Sequence, residues 1–247
     1  MTNTKILWAL PVILCIHCKS PQKETPNNPS TLQIVDAMKN VMWNGDLEGK
    51  IELDSIQNKS GLYGIGPQSF LTGELLIKDG ISYLSKVTSD STMSVERNFQ
   101  VSAPFFVYTN VTEWKEIKLP KDIRGVNDLE NFISSITQEQ GPPFVFKLTG
   151  NASHAIIHIQ NLPLGTKVSS PTEAHKGQIS YSLTDEDAEI IGFFSKKHQG
   201  VFTHHDSYFH MHLITKDESK MGHLDEIEIG NMVLYLPEEI ETSSNHL

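Results

Sequence analysis

The sequence predicts an α+β fold made of mixed β-sheets with a few helices. Three observations carry that expectation. Apolar, β-branched and aromatic runs come in pairs around turn signals, as in residues 70–87 and 208–229. Helical periodicity is confined to two stretches, one around Met38 and one around Leu129. Strands and helices do not alternate as a βαβ series would, and no internal repeat is present. A chain of 247 residues has room for one large domain or two small ones.

The first thirty residues read as a targeting segment. Lys5 precedes the apolar run 6–14, which is too short to span a bilayer comfortably. Cys15 and Cys18 are the only cysteines, so no intrachain disulfide framework supports the globular part. Residues 1–18 are expected to be a signal peptide with a lipobox, and the polar, proline-rich residues 19–30 a tether. Cys18 would become the acylated first residue of an exported, membrane-anchored lipoprotein, on the periplasmic or cell-surface side, with Cys15 as the fallback.

Past the tether, Ser30 is expected to cap a helix carrying Leu32, Val35, Met38 and Met42, stopped near Asn44 and Gly45. Residues 61–67 read as a glycine-rich loop. It lacks the Lys-Ser/Thr of a phosphate-binding loop and the glycine spacing of a dinucleotide fingerprint, so it gets no phosphate role. Residues 70–87 read as a hairpin turning at Asp79-Gly80. Glu74 lies in its first strand among apolar neighbours and is expected on the exposed face. Val126, Leu129, Phe132, Ile133 and Ile136 define a second amphipathic helix, ended by Gly141-Pro142-Pro143. Strands follow at 144–148 and 155–159, where His158 reads as a satisfied core histidine. Further strands in 178–194 are broken at Asp185-Glu186-Asp187.

Five of the eleven histidines fall between His204 and His223. Residues 208–214 read as a strand, so His210 and His212 share one face while Phe209, Met211 and Leu213 fill the other. Residues 215–221 make a turn. In the next strand, 223–229, Glu226 and Glu228 face water and Ile227 and Ile229 face inward; His223 has the parity of those isoleucines. A hairpin of these strands would gather His210, His212 and His223. Three imidazoles with an open fourth position suit a catalytic divalent ion, most often Zn2+. The blander reading is a surface histidine cluster.

The net charge of −10, without a basic stripe, argues against a nucleic-acid partner. Arg97 and Arg124 are the only arginines, which leaves few bidentate clamps for a carboxylate.

Together these motifs resemble the α-acetolactate decarboxylases, from about Leu32 to about Pro237. A Gly-x-hydrophobic-Gly loop followed by a strand ending Gly-Glu reads here Gly64-Ile65-Gly66-Pro67, then Leu71-Thr72-Gly73-Glu74. The family's Thr-Pro-Phe is Ala103-Pro104-Phe105, and its Val-Gly-Phe-x-Ser is Ile191-Gly192-Phe193-Phe194-Ser195. Its zinc motif matches His210-Met211-His212, Asp217 and Gly222-His223-Leu224-Asp225.

The resemblance implies a unit spanning residues 31–247, in two closely packed subdomains. One would be a half-closed, barrel-like N-terminal part, the other a smaller C-terminal mixed sheet. His210, His212 and His223 would hold zinc, and Glu74 would be an active-site carboxylate between the subdomains. The implied substrate is 2-hydroxy-2-methyl-3-oxobutanoate, a small 2-hydroxy-3-oxo acid; the products are acetoin and carbon dioxide; the protein would be a homodimer. His158 stands where the family has an arginine and would act in its place. Pro67 replaces the loop threonine, and the family's C-terminal glutamate could be Glu238, Glu239 or Glu241. The alternative is a non-catalytic metal-binding lipoprotein of the same fold. A cupin-like site is disfavoured, because no glutamate follows His212 at three or four residues.

Overall fold

Turn chemistry sets the first long hairpin. Asp79 and Gly80 both take left-handed backbone angles, φ 46° and 76°, as a two-residue hairpin turn requires. The computed structural model containing it describes residues 31–138 and 141–242. The signal peptide, Cys18 and the tether therefore lie outside the described residues.

In chain order the first half gives β1 (Gln33–Val35), α1 (Met38–Asn44), β2 (Ile51–Glu52), β3 (Leu62–Pro67), β4 (Glu74–Lys78), β5 (Ile81–Ser89), β6 (Thr92–Arg97), β7 (Ser102–Ala103) and β8 (Phe106–Asn110). The second half gives β9 (Trp114–Lys118), α2 (Val126–Ile136), β10 (Phe144–Ile159), α3 (Pro171–Ala174), β11 (Ile179–Phe194), β12 (Phe209–Thr215) and β13 (Met221–Pro237).

The N-terminal strands form one six-stranded sheet in the order β1-β8-β3-β4-β5-β6, and β2 and β7 form a small ribbon. In the C-terminal sheet β10 pairs with β11 along one edge and with β13 along the other. Because β12 joins β11 to β13, these four strands close a ring, with β9 added outside β13. The fold is, as expected, mostly sheet with few helices and a partly closed ring; the closure, however, lies among the C-terminal strands and not in the N-terminal part, whose sheet is open, and the named ladders are antiparallel instead of mixed.

Two apolar layers position the site. On one side of the C-terminal sheet, α2 buries Leu129, Phe132, Ile133 and Ile136 with Phe209, Met211, Leu213 and Ile227. On its other side Ile191, Phe193, Ile214 and Met221 meet Tyr63, Ile65 and Leu76 of the N-terminal sheet. Burial of this kind is worth about 25 cal/mol per Å² of apolar surface and supplies most of the docking energy.

Four local expectations are corrected. The first helix begins only at Met38; residues 33–35 form β1, paired with β8, and Asp36 at φ 53° separates strand from helix. Ile34 packs towards the C-terminal sheet and Val35 towards the opposite core, an alternation that overrides the helical spacing. The helix does end at Asn44, with Gly45 left-handed after it. Residues 61–67 are not a loop, because 62–67 form the buried strand β3. Glycine is needed there for close approach: a Cβ on Gly64 would lie 2.6 Å from the Phe106 ring. Segments 144–148 and 155–159 are one continuous strand, with register shifts near Ala152. Likewise β11 runs through Asp185, which absorbs the bend at φ 56°.

Candidate metal centre and active site

The β12–β13 hairpin forms as the sequence suggests, with His212 paired to His223. His210, His212 and Ile214 share the face that meets the N-terminal sheet, while Phe209, Met211 and Leu213 face α2. The parity argument for His223 needs correction. Leu224 and Ile227, three residues apart, both pack on the α2 side. Their β10 partners, Ile157 and Ala155, are only two residues apart; Leu224 and Glu226 pair with the adjacent Ile157 and Ile156, so Asp225 is the extra residue of a β-bulge. Without that bulge His223 would share the face of Ile227 and point away from His210 and His212. The bulge reverses the alternation and brings the three rings together. Gly222 lets β13 approach β10 closely, since a Cβ there would lie 2.5 Å from the His158 carbonyl oxygen.

The ring centroids of His210, His212 and His223 are 5.1, 5.1 and 5.4 Å apart, and one nitrogen from each lies within 4.8 Å of the others. All three are buried. Burial, reinforced by His158 and then less by His204, pushes the His212 imidazole down to about 3, with the Leu75 backbone partly opposing the shift. His210 and His223 are held well below the ordinary imidazole value, first by burial and then by neighbouring imidazoles. Neutral imidazole is the metal-binding form. Neither His212 ring nitrogen has a hydrogen-bond partner at good geometry, an orphaning that a bound cation would relieve. The triad thus fits a divalent metal ion.

Glu74 is brought to this cluster, but not on the exposed face expected of it. It is 2% exposed. On β4 it shares a face with Leu76, which packs into the inter-sheet core, so its carboxyl points at the C-terminal sheet. Its Oε2 lies 3.6 Å from His212 Nε2, and its Oε1 accepts the Gln160 N–H at 3.2 Å. Burial pushes the carboxyl well above its usual range; the Gln160 N–H opposes this and the Asp225 charge adds to it.

His158 is buried on β10, opposite His223 in the ladder, with ring centroids 4.6 Å apart. Its Nδ1 is 2.8 Å from both Asp225 oxygens, and its Nε2 is 3.5 Å from the Gln160 amide nitrogen. It is a satisfied histidine and at the same time part of the site. A cavity of about 730 Å³ is lined by Glu74, Pro67, Phe105, His158, His210 and His223. Pro67 faces Glu74 across the β3–β4 ladder. Glu238, Glu239 and Glu241 lie past the end of β13, where Glu241 accepts a hydrogen bond from Gln138, and none of them lines the cavity.

Four further groups at the site were not singled out from sequence: His204, whose Nε2 is 3.1 Å from His223 Nε2, Asp225, Gln160 and His175. His204 belonged to the histidine-rich stretch, but a loop residue follows no strand parity. Asp225 was visible only as a motif match. Gln160 and His175 gave no signal.

The family model for alpha-acetolactate decarboxylase matches residues 36–243. The chain belongs to the alpha-acetolactate decarboxylase family. An alpha-acetolactate decarboxylase of Brevibacillus brevis is 24% identical over 193 residues, which is 78% of this chain and 65% of that protein. The chain thus spans less than two thirds of that relative's length. Among solved structures, an alpha-acetolactate decarboxylase from Bacillus subtilis strain 168 superposes with a TM-score of 0.69 at 22% identity, covering 85% of this chain and 86% of that one. A Staphylococcus aureus protein of unknown function, described as similar to alpha-acetolactate decarboxylase, gives 0.69 at 17% identity, covering 86% of each chain. These likenesses establish the family fold.

Proposed function

We propose that this family member catalyses metal-dependent decarboxylation of 2-acetolactate to acetoin and carbon dioxide. The observation that carries the reading is the clustering of three buried imidazoles with a buried carboxyl beside one cavity, which His210, His223 and Glu74 line. In this reaction the bond between C1 and C2 breaks and carbon dioxide leaves. The electron pair moves into the neighbouring C3 ketone, and one proton is then delivered to C2. His210, His212 and His223 would hold the ion, with zinc the best match to three imidazoles. A bound divalent ion supplies Lewis-acid polarisation of the ketone, without an organic cofactor.

Glu74 would hold and deliver the proton. Burial raises the affinity of its carboxyl for a proton, a bound ion would lower it, and the Gln160 N–H fixes its orientation. His158 would stand in the arginine's place. Asp225 anchors its Nδ1, and Nε2, with only the 3.5 Å contact to the Gln160 amide, offers a single oriented contact instead of a bidentate fork.

The test is acetoin release from racemic acetolactate by metal-loaded protein, with His210→Ala as the control. Acetoin should form with the parent and fall to the metal-free background in the variant. Acetoin no faster than in buffer from a fully loaded parent would sink the reading. It would favour a second one, a non-catalytic metal-binding lipoprotein of the same fold. Pro67 in place of the loop threonine, and C-terminal glutamates outside the cavity, speak for that second reading.

A further inference from the structure

The triad rings have the spacing of imidazoles around a single ion. With metal–nitrogen bonds of about 2.0–2.1 Å in tetrahedral geometry, donor nitrogens sit roughly 3.3 Å apart. A fourth imidazole stands at the edge of the triad, matched in separation to His223 alone and outside the set of nitrogens that lie within 4.8 Å of one another. His204 Nε2 lies 3.1 Å from His223 Nε2, and the two rings are 5.0 Å apart. The His204 ring is 6.2 Å from that of His210, against 5.1 Å between His210 and His223. It therefore approaches the open side of the triad obliquely, from the cavity that it also lines.

Its position is built into the connection between β11 and β12. Phe202 and Thr203, just before it, are buried. The His198 ring stacks on Phe202 at 5.1 Å, and Ser195 Oγ lies 2.7 Å from His198 Nδ1. The carbonyls of Gly200 and Val201 accept the N–H groups of Lys39 and Met38 at the start of α1. At the tip of this fixed loop, the His204 side chain has His223 as its hydrogen-bond partner among the described residues.

We propose that His204 is a fourth, exchangeable imidazole ligand of this metal centre, occupying the coordination position that substrate oxygens would take. The inference rests on the reading of His210, His212 and His223 as metal ligands. A resting centre closed by four imidazoles resembles a structural site, whereas catalysis needs an open position. Exchange of His204 for substrate would reconcile the two. The oblique approach, close to His223 and further from His210, suits a ligand that can leave.

The test uses the full chain loaded with Co(II). Visible absorption and X-ray absorption count the imidazoles, and chelator competition gives the metal Kd. Four imidazoles are expected in the parent and three in His204→Ala, with the Kd raised about tenfold or more. The non-reacting chelator 2-hydroxy-2-methylpropanoate, which lacks the ketone, should bind His204→Ala about tenfold more tightly, because no imidazole has to be displaced. If His204→Ala does not fold by circular dichroism, His204→Gln carries the comparison, since an amide is a poor ligand. Three imidazoles and the same spectrum in both chains overturn the inference alone. Equal probe affinity overturns the exchange. A parent that binds no Co(II) overturns the inference together with the triad reading.

Discussion

A carboxyl group at 2% exposure is costly to keep ionised unless a cation sits beside it. Glu74 has an imidazole at 3.6 Å and one backbone N–H, so burial favours the proton in the metal-free site, while an ion on the triad would favour the carboxylate and ease proton release. Glu74→Gln keeps the shape and the contact to Gln160 but removes that proton. Acetoin formation should fall about a hundredfold or more, as for loss of a placed general acid, with metal content unchanged. Initial rates on metal-quantified protein check this; an unchanged rate would remove Glu74 from the chemistry. The residue was findable only through family resemblance. Its strand pattern pointed to an exposed face, because a lone glutamate between Gly73 and Leu75 carries no sign of the second sheet that covers it.

At the scale of elements, the β13 bulge at Asp225 decides whether the triad exists. Gly222→Ala would set a Cβ against backbone at 2.5 Å, and the His158 carbonyl cannot yield cheaply. Stability should drop by about 1–3 kcal/mol, as in other overpacked sites. Metal affinity should weaken with it as His223 is displaced; thermal melts and chelator competition read both effects, and normal metal binding would show that β13 tolerates the shift.

The β12–β13 turn gives a pH prediction. Asp217 accepts hydrogen bonds from Thr215 Oγ1, Ser219 N and Ser219 Oγ, and its carboxyl is pulled down to about 2, chiefly by the Thr215 hydroxyl. A depressed carboxylate contributes stability that is complete above its unfolded value of 3.8 and is lost as pH falls towards 2. Urea midpoints of the parent and Asp217→Ala should therefore differ at pH 6, begin to approach one another near pH 4 and meet as pH falls to about 2. A difference independent of pH would assign the turn's stability to other contacts.

The hairpins and α2 were legible because turn residues and periodicity are local signals. The bulge was not, since a period of two reads the same on either side of an inserted residue. Nor was β3: its glycines mimic a loop until the Phe106 ring that lies on them is known.

At the scale of the whole molecule, the site exists because two sheets dock. The triad comes from the C-terminal sheet and Glu74 from the N-terminal one, far apart in sequence. That pairing was legible only as resemblance, because no spacing rule joins residues 74 and 212. Among the described residues no helix is long and apolar enough to cross a membrane. Membrane attachment by acylation at Cys18, outside the described residues, is a separate proposal, in which two or more chains are needed for stable anchoring. Intact-mass analysis of membrane-extracted protein should place the lipid mass on Cys18; a product with that thiol free would defeat the proposal. The proposed homodimer is open to the same direct check by light scattering.

The topology also bears on how the chain reaches this state. His210 and His223 lie on neighbouring strands of one hairpin, so their contact closes a short loop, whereas Glu74 joins them only through a distant pairing. Short-range contacts form early and long-range sheet docking forms late. A divalent ion present from the start should thus bind the C-terminal half-structure and speed refolding by pre-ordering β12 and β13. In stopped-flow experiments the refolding rate should rise with zinc concentration for the parent and stay flat for His210→Ala. A parent rate indifferent to zinc would mean that the ion is captured only after the two sheets have closed.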